Sequence, residues 1–256
     1  MSKTLNRDKL KKKIQSIYSK VAESSDSEFH FETGRELAEK LGYNLNDLDR
    51  VPDAAIDSFA GVGYYFDLAN LKPGEKVLDL GSGSGMDSFV AGLHVAENGE
   101  VTGIDMTDKQ IEKALNLADK NGFDNVVFKR GFIEELPFED ETFDIVVSNG
   151  VINLSADKDK VFKEISRVLK PGGRLVIADI VTKEQMPESI KKDADIWAAC
   201  IGGAEQSDNY TSLIEAAGLK IQKVRENSQY SFISEQAVNA SKEYGVMSIS
   251  LLAKKP

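Results

Sequence analysis

From Leu71 onward, short apolar runs alternate with stretches in which apolar residues recur at helical spacing. The apolar runs 76–80, 101–105, 125–129, 143–148 and 174–179 read as strands, and 220–225 and 246–253 add two more. Helical spacing covers 87–96, 107–121, 157–169, 187–200, 210–217 and 234–243. The helix at 157–169 is expected to stop at Pro171-Gly172-Gly173. Strands that alternate with helices argue an α/β fold: a mostly parallel sheet with right-handed crossovers and helices on both faces. Upstream, Leu10, Ile14, Ile17 and Val21 keep helical spacing over 5–22, with Lys9 and Lys11 to Lys13 on a solvated face. Ser24 to Ser27 read as a loop, 34–41 as a short helix, and 42–57 as irregular chain with Pro52. A small-residue turn, 58–63, precedes the sheet. The chain therefore divides into an N-terminal helical segment, 1–70, placed to fold over a ligand as a lid or to pad the sheet edge, and a core domain, 71–256.

The first strand runs into Asp79-Leu80-Gly81-Ser82-Gly83-Ser84-Gly85 and then a helix. Glycines here let the backbone turn tightly and let a ligand lie on bare peptide. Their spacing is G-x-G-x-G, not the G-x-G-x-x-G that leaves a helix N-terminus free for a pyrophosphate. With Asp79 two residues upstream, the turn suits a nucleotide-like ligand that carries an ammonium group and no phosphate. Asp105 ends the second strand about twenty residues past the last glycine, where an acid reads ribose hydroxyls. Thr107 and Gln110 read as a capping box, which leaves Asp105 free for that task. In such a sheet ligands collect at the carboxyl ends of the strands. Gly81, Ser82, Gly83, Gly85, Asp105, Met106, Ile133, Glu134 and Asn149 all fall there. Ile133 is placed for an adenine face and Glu134 for its amino edge.

Composition narrows the class. A net charge of −10 over 256 residues argues against a nucleic-acid partner. No run of about eighteen apolar residues supports a membrane span. One cysteine allows no internal disulfide, which fits a reducing cytoplasm. His30 and His94 show no metal-ligand spacing, so no metal is expected. There is no phosphate loop and no nucleophile elbow.

Over roughly residues 50–256 these motifs resemble the class I S-adenosylmethionine (SAM)-dependent methyltransferases, whose fold is a seven-stranded Rossmann-like sheet. The resemblance sharpens on Asp79-Leu-Gly-Ser-Gly-Ser-Gly-Met-Asp87, Gly103-Ile-Asp-Met-Thr107, Ser148-Asn-Gly-Val-Ile-Asn-Leu-Ser155 and Arg167-Val-Leu-Lys-Pro-Gly-Gly-Arg174. Together with Ser58-Phe-Ala-Gly-Val-Gly63, these are similar to the arsenite methyltransferases. The resemblance implies SAM as cofactor and a small-molecule acceptor, with Asn149 and Cys200 beside the reacting atoms. It also implies three cysteine thiolates around trivalent arsenic, at positions that here hold Val62, Gly150 and Cys200. Only Cys200 keeps the sulfur, and arsenic(III) prefers several thiolates, so the acceptor chemistry is expected to be altered. Other readings remain open. Arsenite or a methylarsenical could bind through Cys200 and external thiols. A quinone- or sterol-type carbon or oxygen methyltransferase fits Leu136-Pro137-Phe138 and Thr142-Phe143-Asp144. A non-catalytic SAM-binding protein is a third reading, and a nicotinamide dehydrogenase a remote fourth.

Overall fold

The computed structural model describes residues 7–23, 29, 31–187, 190, 197 and 201–256. Five helices come first: α1 (Arg7–Glu23), α2 (Gly34–Leu41), α3 (Leu45–Leu48), α4 (Asp53–Asp57) and α5 (Phe66–Ala69). The sheet region follows as β1 (Lys76–Leu80), α6 (Met86–Val95), β2 (Glu100–Asp105), α7 (Asp108–Asn121), β3 (Val126–Arg130) and β4 (Phe143–Asn149). After a short 3-10 turn come α8 (Lys158–Val168), β5 (Leu169–Thr182), β6 (Glu205–Gln206) and α9 (Ser207–Ala216). The chain ends with β7 (Lys220–Glu226), α10 (Glu235–Tyr244) and β8 (Met247–Lys254).

The strand order is β3-β2-β1-β4-β5-β8-β7, with β8 antiparallel to both of its neighbours and the other pairs parallel. The sheet has eight strands rather than the seven expected, because β6 pairs with Val181 and Thr182. Two residues are too few to show a period. The order reverses between β1 and β4, which opens a crevice beyond their carboxyl ends.

Strand alternation sorts the core onto two faces. Val77, Ile145, Val147 and Val176 pack with Phe89, Ile111 and Ala114 of α6 and α7. Leu78, Leu80, Val146 and Ile177 pack with Phe162, Ile165 and Ile214 of α8 and α9. Leu10, Ile14, Leu37, Leu41, Leu48 and Ile56 join the first cluster, so the N-terminal helices share the core of that sheet face.

Two expectations need correction, and a third lies mostly outside the described residues. Residues 42–57 are not irregular: Asn44 caps α3 by accepting from Asn46 N, and Pro52 starts α4 with φ −60°. A proline's fixed φ and missing N–H suit the start of a helix. Residues 171–173 do not separate helix from strand, because β5 already begins at Leu169 opposite Phe143. The Pro-Gly-Gly stretch forms an irregularity before pairing resumes at Arg174 with Ile145. The helix expected over 187–200 lies mostly outside the described residues; Ile190 and Trp197 are helical.

Candidate active site

A cavity of about 270 Å³ opens at the carboxyl ends of β1, β2 and β4. The sequence-predicted residues Asp79, Gly81, Ser82, Gly83, Asp105, Met106, Ile133, Glu134 and Asn149 all line it. Gly85 does not, and Cys200 lies outside the described residues.

The three glycines of the turn have positive φ, +68°, +54° and +97°, but different surroundings. A Cβ on Gly81 would overlap Val151, and one on Gly85 would collide with the Phe128 and Phe89 rings. A Cβ on Gly83 would meet nothing closer than Gln110 Oε1 at 3.8 Å. Gly81 and Gly85 are therefore required by protein packing, whereas Gly83 presents bare backbone to open space.

Asp105 is joined to that turn. Its Oδ2 accepts from Gly83 N at 3.1 Å and its Oδ1 from Thr107 N at 2.8 Å. The expected capping box is absent: Thr107 makes no side-chain cap, and Gln110 instead accepts from Ser84 Oγ and donates to Tyr18 O. Asp105 thus holds the start of α7 and the glycine turn together. The longer reach of the Gln110 side chain serves α1, which no local pattern records. A second tie to α1 runs from Gln15 Nε2 to Met106 O at 3.0 Å. Lys11, Ile14 and Tyr18 of α1 form one side of the cavity. Glu134 accepts from Ser155 Oγ at 2.8 Å and faces Lys11 Nζ at 3.5 Å.

Asp87 is a lining residue to which the sequence reading gave no role. It is buried, with Tyr43 Oη donating to Oδ1 at 2.6 Å. Its Oδ2 accepts from Tyr65 Oη at 2.9 Å and Asn149 Nδ2 at 3.0 Å. Asp79 is 2% exposed and accepts from Ser88 Oγ at 2.6 Å. Burial first, and then the like charge of Asp87, push the Asp79 carboxyl up to about 8. Burial also raises Asp87 and Asp105, against the pull of their hydrogen-bond donors. No described cation sits against Asp79 or Asp87: Lys11 faces Glu134, and Lys160, also on the cavity wall, faces Glu135 at 3.7 Å. Among the described residues the two carboxyls are thus balanced by a retained proton on Asp79 and by hydrogen-bond donors on Asp87, not by a cation.

At its other end the wall is apolar, with Phe59, Ala60, Gly150, Val151 and Leu154. Asn149 fixes this side by accepting from Val62 N at 2.7 Å and donating to Gly63 O at 3.0 Å. Ser248 Oγ donates to Val62 O at 2.6 Å. A Cβ on Gly150 would stand 3.1 Å from Val62 Cγ1, so these two positions are neighbours in space. Among the described residues no group of three His, Cys, Asp or Glu could hold a metal ion. No helix of the described residues is long and apolar enough to cross a membrane.

A reversed strand order with acids and bare glycine backbone at the crevice defines an α/β protein built for a nucleoside-bearing, positively charged ligand. Residues 71–218 match the methyltransferase-domain family. The arsenite methyltransferase of Halobacterium salinarum is 37% identical over 226 residues, 88% of this chain and 58% of that protein. The human arsenite methyltransferase is 48% identical over 137 residues, 50% of this chain and 36% of that protein. A solved structure, an arsenic(III) S-adenosylmethionine methyltransferase from Chlamydomonas reinhardtii, superposes with a TM-score of 0.62 at 30% identity. That match covers 87% of this chain and 74% of the other. The chain belongs to the class I SAM-dependent methyltransferases of the arsenite methyltransferase type, and it spans less than two thirds of the length of these curated relatives.

Proposed function

We propose that this chain binds SAM in the cavity at the ends of β1 and β2 and catalyses methyl transfer to a small-molecule acceptor. The observation that carries the reading is the pairing of two buried acids lacking a cation with a glycine whose Cβ direction is open. In this reading Asp79 faces the ammonium group, Gly83 offers bare backbone, and Asp105 takes the ribose hydroxyls. Met106 and Ile133 flank the adenine, with Glu134 beside its amino edge. Bound SAM supplies a methyl group already activated on a sulfonium, so no protein acid, base or metal is needed to activate the donor. What the chain adds is placement and dryness. The acceptor atom has to stand about 3 Å from the methyl carbon and in line with the leaving sulfur, which Asn149 serves by fixing the 61–63 stretch. The N-terminal segment acts as a lid that keeps water out, with α1 over one side of the cavity.

The test is a calorimetric titration with SAM, followed by incubation with labelled SAM and a metabolite extract, and separately with arsenite with and without thiols. Binding plus a labelled product supports the reading, and the product names the acceptor. Absence of SAM binding overturns it. A second reading is transfer to an apolar carbon or oxygen acceptor. It is favoured by the apolar wall and by Val62 and Gly150 standing together where the resemblance expects thiolates. A labelled lipophilic product, with arsenite left unmethylated, decides for it.

A further inference from the structure

Asp79 is the last but one residue of β1 and Asp87 occupies the first turn of α6, and both line one cavity with 2% and 6% of their surfaces exposed. Two buried carboxylates that share a site cannot both ionise cheaply. Their partners are unequal. Asp87 receives three hydrogen bonds, from Tyr43, Tyr65 and Asn149, whereas Asp79 receives one, from Ser88. Donors favour the charged form, so the negative charge settles on Asp87 and the proton on Asp79. The groups facing the pair from the surrounding elements do not reverse this. Asp105 of β2 adds a like charge, Tyr43, Tyr65, Ser88 and Asn149 are neutral, and the cavity lysines Lys11 and Lys160 face Glu134 and Glu135. Ser82 lines the same cavity at 9% exposure, and its buried Oγ has no partner among the described residues.

We infer that Asp79 and Asp87 share one proton while the cavity is empty, and release it to solvent when the ammonium end of an adenosyl ligand takes its place. The inference rests on the donor-site reading above and adds to it that binding is coupled to a proton. The Asp79 O–H bond breaks, the carboxylate pairs with the arriving ammonium, and the proton passes to buffer. Nothing is oxidised or reduced. The raised Asp79 carboxyl supports this, since at neutral pH it still holds its proton.

The test uses S-adenosylhomocysteine, the demethylated thioether, which keeps the ammonium group and has no methyl to transfer. Calorimetric titrations of the full chain at pH 7 in phosphate and in Tris, whose ionisation enthalpies differ, count the protons exchanged. Close to one proton released per ligand is expected, with affinity rising roughly tenfold from pH 6 to pH 7. In Asp87→Asn the like charge is gone while burial still holds the Asp79 carboxyl up, so release falls below that of the wild type without vanishing. Asp79→Asn abolishes release and weakens binding. Wild-type protein that binds the thioether without proton release overturns the inference and leaves the donor site intact. Wild-type protein that binds neither the thioether nor SAM overturns the donor-site reading and the inference with it.

Discussion

The two ends of the cavity are built in opposite ways. On the reading proposed above, the ammonium and ribose part of the donor end is assembled within 27 residues of chain, Asp79 to Asp105, from a strand end, a turn and an acid that bonds back to the turn. Its chemistry is carried by backbone and carboxylates. The acceptor end joins residues 59–63 to 149–154 and is clamped by Ser248, with apolar side chains and an asparagine whose polar atoms are all engaged. One end depends on charge and bare peptide, the other on shape. A substitution that alters charge should therefore be felt at the donor end, and one that alters volume at the acceptor end.

The sharpest separation should come from the glycines. Gly81→Val drives a side chain into Val151 at a φ of +68° and is expected to cost roughly 3–4 kcal/mol of stability. Gly83→Ala meets no protein atom within 3.8 Å, so it should cost only about 1 kcal/mol, from its positive φ. It should nevertheless weaken SAM binding at least tenfold. Thermal melts and calorimetry on the two variants separate folding glycine from ligand glycine; equal effects on both readouts would merge them.

Next in size is Asp105→Ala, which removes the acceptor for two backbone N–H groups and the ribose partner. SAM affinity should fall about a hundredfold, near 2.7 kcal/mol, with the protein still folded. Unchanged affinity removes Asp105 from the site.

Asp79→Asn should trade binding for stability in a pH-dependent way. The folded carboxyl titrates at about 8, above its unfolded value of about 3.9. The folded state thus holds a proton that the unfolded chain has lost, and wild-type stability falls as pH rises toward 8. Asn lacks that slope, so its melting temperature should overtake the wild type's increasingly between pH 5 and pH 8. A constant gap across that range contradicts the buried-acid account.

The mildest change is Gly150→Ala, whose Cβ stands 3.1 Å from Val62 Cγ1 at a φ of +70°. About 1 kcal/mol of stability should go, with SAM affinity held within roughly twofold while methyl transfer slows. A donor-affinity loss as large as that of Asp105→Ala would show that the two ends are not independent.

This asymmetry also explains what the sequence discloses. Gly81, Gly83 and Asp105 are close along the chain, and their spacing carries their geometry. Asp87 was visible as a residue, but its burial depends on Tyr43 and Tyr65, both from the segment before the sheet, and no local pattern joins them. Gln110 was misread for a related reason: a capping motif is local, whereas its actual partners, Ser84 and Tyr18, lie 26 and 92 residues away. A mostly parallel sheet followed from strand and helix alternation, while β6 depends on pairing with β5 and the 171–173 irregularity on register, neither of which hydropathy encodes.

Met106 and Gln110 border the cavity and also anchor α1, through Gln15 Nε2 and Tyr18 O. Each anchor is a single neutral bond to a main-chain oxygen, worth about 1 kcal/mol, and adds to the burial of Leu10, Ile14 and Val21 that holds α1 on the core. A ligand filling the space beneath Ile14 and Tyr18 presses on that same roof. Amide hydrogens of α1 should therefore exchange with deuterated solvent more slowly once SAM is added, a readout of occupancy that needs no knowledge of the acceptor.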